Sequence, residues 1–241
     1  MLFMFEIKRM IRGKDWIGMI IGMIVMIIAA IINSIVVQPM FDGNKSIRFD
    51  YYCGISQLMP FVFAPSIGNY LTKDYEDYSD SFYSNIKIPF KQYYLTRMLV
   101  IILMGIIIIS VGTEGYFLKE NIEIFSSLNI LTILILQYIY VVLVMGIIAY
   151  CTQKRIMTII FTIFGTLFMS VLNILPIPKL QGNLFLLDAH SIVTNNMKEF
   201  IVFNNIDNYL NNIVILLVWI FVLFNIYYIM IAHKEKRKER I

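Results

Sequence analysis

Residues able to do proton, thiol or metal chemistry are few in this sequence and widely spaced. The chain of 241 residues holds two cysteines and two histidines, whereas metal sites and nucleophilic centres need such groups gathered at defined spacing. Cys53 and Cys151 fall near opposite ends of two different apolar stretches, about a bilayer apart, a separation no disulfide bridges. His190 and His233 both lie outside the apolar stretches and at opposite ends of the expected topology, so they share no metal. No G-x-x-x-x-G-K-S/T run occurs, and without it no loop of this chain is suited to cradle nucleotide phosphates. Intramembrane hydrolysis by paired glutamates or by a Ser/His pair lacks its parts too, because Glu114 is the one acid inside an apolar stretch. The expectation is a chain with no catalytic residue, metal or cofactor of its own.

The densest polar chemistry lies instead between residues 72 and 97, TKDYEDYSDSFYSNIKIPFKQYYLTR. Residues 73–91 carry seven charges: Lys73, Asp74, Glu76, Asp77, Asp80, Lys87 and Lys91. At about 3 kcal/mol each near a bilayer centre, burying them in lipid would cost on the order of 20 kcal/mol, so the segment stays out of the hydrocarbon. As a helix over 74–85 it places Tyr75, Tyr78 and Phe82 on one stripe, with Asp74, Asp77, Ser81 and Ser84 on another face. Pro89 stops that helix and opens the next. Two readings stand. A solvated loop with interfacial tyrosines accounts for the aromatics alone. A docking helix accounts for the clustered acids as well, with aromatic anchors seated in a partner's pocket and charges steering the encounter.

The elements that must position this segment follow from composition. With 59% hydrophobic and only 15% charged residues, the chain departs from soluble domains, which are about a quarter charged. Six apolar runs, 16–37, 51–72, 93–117, 128–150, 156–175 and 211–232, approach the roughly 20 residues a helix needs to cross a membrane. They occupy most of residues 1–241, so the reading is one all-α integral membrane domain with six transmembrane helices. The first run exceeds the apolar core of a signal peptide and has no clear cleavage site after it. Ahead of it, Phe3, Ile7, Met10 and Ile11 recur at helical spacing with Lys8, Arg9 and Arg12 elsewhere on the wheel, as in a helix lying on an anionic leaflet. Start-anchor charges are the plainer alternative. Fifteen of the twenty basic residues fall on the side holding both termini, leaving Lys45, Arg48, Lys119, Lys179 and Lys198 on the other. By the positive-inside rule both ends are then cytoplasmic, in a cell membrane. The net charge of +4 reflects that orientation and carries no nucleic-acid footprint.

Within the spans, Glu114 in SVGTEGYF has two readings: an interfacial carboxylate reaching for water, or a polar contact at an outer gate. Pro60 and Pro65 are either ordinary kinks or the bending points of a gate helix, and Gln57 either joins helices or lines a path. The long outer connection 176–210 has an apolar, roughly helical pattern interrupted by asparagines.

This order of parts resembles the membrane subunit of ABC-2-type transporters. The pieces that carry the likeness are FEIKRMIRGKDW, then DYEDYSDSFYSNIKIPFKQYYLTR, then LPIPKLQGNLFLLDAHSIVTNNMKEFIVFNN. They are similar to that family's N-terminal elbow, its cytoplasmic coupling helix between spans two and three, and its outer half-helix pair between spans five and six. The resemblance implies that Asp74, Tyr75, Glu76, Asp77, Tyr78, Asp80 and Phe82 dock on a separate cytoplasmic ATPase that binds ATP and magnesium. Arg97 would be the basic residue that opens span three. It also implies a permease dimer, with a second copy or a sister chain, and a path near Glu114, Pro60, Pro65 and Gln57. The small size resembles permeases of peptide exporters in low-GC Gram-positive bacteria, including bacteriocin and lantibiotic self-protection systems and exporters of amphipathic toxin peptides. The expected function is export of hydrophobic or amphipathic peptides. The alternatives are a stand-alone immunity protein that sequesters a peptide, or an exporter of drugs or lipids.

Overall fold

The computed structural model describes residues 2–32, 47–76, 89–120, 124–174 and 206–238, and all regular structure among them is helical. In chain order the helices are α1 (Leu2–Arg12), α2 (Asp15–Ile32), α3 (Ile47–Glu76), α4 (Phe90–Lys119), α5 (Ile124–Thr152), α6 (Arg155–Ile174) and α7 (Ile206–Lys238). Among the described residues, four stretches are long and apolar enough to cross a membrane: Asp15–Ile32, Phe90–Lys119, Ser127–Thr152 and Ile213–His233. Of the six expected spans, four are matched by length and composition among the described residues. In α6 the described apolar run, Arg155–Phe168, is shorter. In α3 the apolar residues are diluted by Ser56, Gln57, Ser66, Asn69 and two prolines. Residues 77–88 and 175–205, which include most of the expected coupling helix and the outer half-helix pair, lie outside the described residues.

Helix boundaries follow local chemistry. After α1 the chain turns through Gly13 and Lys14, and Lys14 adopts a left-handed backbone (φ 60°). The Gly13 amide donates to the Arg9 carbonyl at 2.8 Å, and Trp16 Nε1 donates to the Ile11 carbonyl at 3.1 Å. Left-handed residues close helix C-termini in this way, usually as glycine, so a lysine here is held by its surroundings. Gln153, between α5 and α6, repeats the device at φ 54°, its amide bonded to the Ala149 carbonyl at 2.9 Å. Pro89 sits at the N-cap of α4, one position earlier than an N1 proline.

Helix α3 runs on past residue 72, where the expected second span ends. Its 30 residues span about 45 Å at 1.5 Å per residue, against a hydrocarbon core of roughly 30 Å. It is therefore longer than such a core is thick. Pro60 and Pro65 lie inside it, with Pro60 buried and Pro65 exposed.

Packing places α5 at the centre. Nearly three quarters of its apolar window, 72%, is buried, against 17% for α7. Around α5 stand α3, α4, α6 and α7, and α2 packs along α3. The α2–α3 approach is so close that a Cβ on Gly54 would meet Ala30 Cα at 2.9 Å. Small residues allow such backbone contact where lipid leaves no hydrophobic drive between helices. Gly105 on α4 likewise leaves room for the Tyr138 ring, whose hydroxyl donates to the Ile101 carbonyl at 2.8 Å. The outer faces are as apolar as the inside: Val111, Phe164, Phe168 and Phe221 are all strongly exposed.

Candidate functional site

The polar chemistry of this bundle gathers at one end. There the amphipathic helix α1 lies against the last turn of α3 and the first turns of α4, and four charged side chains meet. Asp74, from the final turn of α3, is buried with 1% exposure. Its Oδ2 accepts from Arg9 Nη1 at 2.8 Å and from Arg97 Nη1 at 2.8 Å, and its Oδ1 pairs with Arg9 Nη2. Arg97, two turns into α4, is fully buried, with its guanidinium 4.9 Å from the Tyr70 ring centroid and 5.5 Å from that of Tyr93. Glu6 completes the group from the inward face of α1. It accepts from the Tyr70 hydroxyl at 3.0 Å and lies 3.8 Å from Arg97 Nε and 3.7 Å from Arg9 Nη1. Arg9 Nη1 also donates to the Tyr93 hydroxyl at 3.0 Å.

Two acids and two bases make the cluster neutral overall, which is the condition for holding such groups away from water. Their bonding is nonetheless unequal. Asp74 is gripped by both guanidiniums. Glu6 is farther from both, and burial pushes its carboxyl above its ordinary value of 4.5, opposed by Arg97, Arg9 and the Tyr70 hydroxyl. Glu6 Oε1 and Arg97 Nε and Nη2 make no hydrogen bond among the described residues.

A second polar chain runs beside the first. Asn69 Nδ2 donates to Asp15 Oδ1, and Arg155 Nη1 donates to Asn69 Oδ1 at 3.0 Å. Glu76 Oε1 accepts from the Arg155 amide at 2.7 Å, so an acid from α3 caps the start of α6 where the helix dipole favours it. A cleft of about 440 Å³ opens here, lined by Asp15, Pro65, Ser66, Asn69 and Arg155 among others. Lys91, at the start of α4, reaches the Tyr228 hydroxyl of α7, and Tyr150 donates to the Met230 carbonyl at 2.9 Å. The segments around residues 9, 74, 97, 155 and 228 therefore share one end of the molecule, as the basic pattern of the sequence requires.

The predicted site residues separate on this frame. Asp74 does not stand on an exposed docking face; it is the centre of the buried cluster. Tyr75 is half-buried and stacks on Tyr94, with ring centroids 5.3 Å apart. Glu76 is exposed and engaged with α6. Asp77, Tyr78, Asp80 and Phe82 lie outside the described residues. At the far end, Glu114 accepts from Ser127 Oγ at 3.3 Å, which ties α4 to the start of α5. Gln57 is exposed, and Pro65 lines the cleft beside Asn69 rather than a place shared with Glu114. Glu6, Asp15 and Tyr70 were not singled out from the sequence. Glu6 carried a usable signal: it falls three residues after Phe3 and four before Met10, an acid on an otherwise apolar helix stripe. Exposed Phe3 and Ile11 flank the buried Met10, so α1 turns the Glu6–Met10 edge inward and leaves much of its apolar stripe outward.

The fold thus defines a helical protein suited to embedding in a membrane, with a buried cluster of four charges at one end. Compared with protein-family models, with curated proteins and with solved structures, the chain matches none.

Proposed function

We propose that this chain is the permease subunit of an ATP-driven exporter of the ABC-2 type, moving hydrophobic or amphipathic peptides out of the cell. In this reading six helices cross the plasma membrane, both termini are cytoplasmic, and two permease chains form the path. A separate ATPase, binding ATP and magnesium, docks on the segment 74–85. The observation that supports it best is mechanical. Residues 77–88 are flanked by Asp74 and Arg97, and the Asp74 carboxylate accepts from both Arg97 and Arg9 of α1 inside a buried cluster. Next to them, Glu76 holds the start of α6. A partner pulling on such a segment moves α1, α3, α4 and α6 together, because the loop's roots are fixed to all four. A loop serving only as a connector needs no buried charges at its roots.

Asp74 changes role in this proposal, from a docking acid to the anchor of the docking segment. The docking contacts fall to Tyr78 and Phe82 as anchors, with Asp77 and Asp80 at the rim. The test is pull-down of the ATPase and peptide export, or resistance, with Tyr78→Ala and Phe82→Ala set against Asp80→Asn. The aromatic truncations should each weaken ATPase binding by about 2 kcal/mol or more, and the rim variant by less. Full protection by a single purified chain with no ATPase present would replace the transporter with a peptide-sequestering protein.

A further inference from the structure

The α1–α2 turn and the last turns of α3 border an open cleft of about 350 Å³, lined by Phe5, Lys8, Arg9, Arg12, Gly13 and Lys73. Arg9 is already engaged with Asp74. Lys8, Arg12 and Lys73 have no acid within ion-pair distance among the described residues. Three cations from two different helices thus border one small cleft, a local positive potential that favours a multivalent acceptor of negative charge. One wall is apolar: Phe5, and next to it Met4, are more than half exposed on α1. A ligand matching both features has a compact anionic oxygen group joined to hydrocarbon.

We propose that this cleft holds the phosphate headgroup of an anionic phospholipid, its oxygens against Lys8, Arg12 and Lys73 and its chains running past Phe5 and Met4. Diffuse attraction of a basic helix to a charged leaflet needs neither a cleft nor Lys73, which comes from α3. A soluble acidic peptide makes no use of the exposed apolar wall. The site depends on the chain lying in a membrane and not on the transporter reading, so the two fail separately.

The experiment is native mass spectrometry of the full chain released from nanodiscs of phosphatidylcholine, with and without phosphatidylglycerol. The expected result is one phosphatidylglycerol retained per chain in preference to phosphatidylcholine. Lys73→Gln alone should weaken that preference about fivefold, the share of one cation near an anionic surface. The triple variant Lys8→Gln, Arg12→Gln, Lys73→Gln should abolish it, with an unchanged thermal midpoint. A control triple, Lys154→Gln, Lys236→Gln, Lys238→Gln, removes equal charge elsewhere and should retain the lipid. Equal loss in the control overturns the pocket in favour of diffuse attraction. An unaffected Lys73→Gln overturns it in favour of α1 alone, and this single change also decides the matter if the triple variant fails to fold. Displacement of the lipid by inorganic phosphate at matched concentration overturns the lipid in favour of a free anion.

Discussion

The charged end of the bundle and the middle of α5 are held together in opposite ways. Around α5 adhesion is spread over many small contacts. Ile133, Leu134, Val142 and Met145 are fully buried among apolar neighbours, and polar atoms are settled one by one, Tyr138 on the Ile101 carbonyl and Gln137 on the Tyr52 hydroxyl. At the charged end adhesion is concentrated in four charged side chains that bind one another, with Tyr70 and Tyr93 beside them. Interior and exterior are equally apolar in this molecule, so hydrophobic packing by itself does little to fix which helix faces which. The ionic cluster supplies that address. It names α1, the end of α3 and the start of α4 as one unit, and it is brittle where α5 is forgiving.

Removing the centre of the cluster is the most severe way to break this contrast. Asp74→Asn leaves Arg9 and Arg97 facing each other with only Glu6 nearby. Breaking a buried pair costs about 3–5 kcal/mol, read as a large fall in the thermal midpoint of the purified chain. A midpoint within error of the wild type would mean that the four charges do not hold this end.

Glu6→Gln sharpens the contrast inside the cluster itself. The carboxyl of Glu6 titrates above its ordinary 4.5 because burial outweighs the attraction of both guanidiniums. A group whose folded value is raised lends stability below its unfolded value and loses it as pH rises through the folded one. Glutamine imitates the protonated form. The variant should therefore match the wild type below about pH 4.5 and gain on it as pH climbs, reaching a plateau above the raised value. A gain that shrinks with pH would show instead that ionised Glu6 is the favoured partner of the arginines. In either case the change should be much smaller than that of Asp74→Asn.

Tyr138→Phe tests the forgiving region. It removes one hydrogen bond to the Ile101 carbonyl in an otherwise apolar site, a loss of about 1 kcal/mol. Phe221→Leu, on the exposed face of α7, should stay within about 0.5 kcal/mol of the wild type. If Tyr138→Phe destabilised the chain as much as Asp74→Asn, the distinction between a spread and a concentrated interface would be lost.

The sequence by itself determined that the chain is helical and suited to a membrane, since low charge and runs of about 20 apolar residues admit little else. It also determined that a helix opens after Pro89, because Pro lacks an amide donor, and that basic segments alternate with the apolar runs. Local periodicity could not decide where α3 stops. The charges from Lys73 onward read as exposed, yet the helix continues to Glu76 because Arg9 and Arg97, 65 and 23 residues away in sequence, receive Asp74. The pairing of Asn69 with Asp15 and Arg155 was equally out of reach, as was the use of Glu76 as a cap for α6. An acid's sequence neighbours say whether water would welcome it. Only the packed helices say whether a guanidinium is already in water's place.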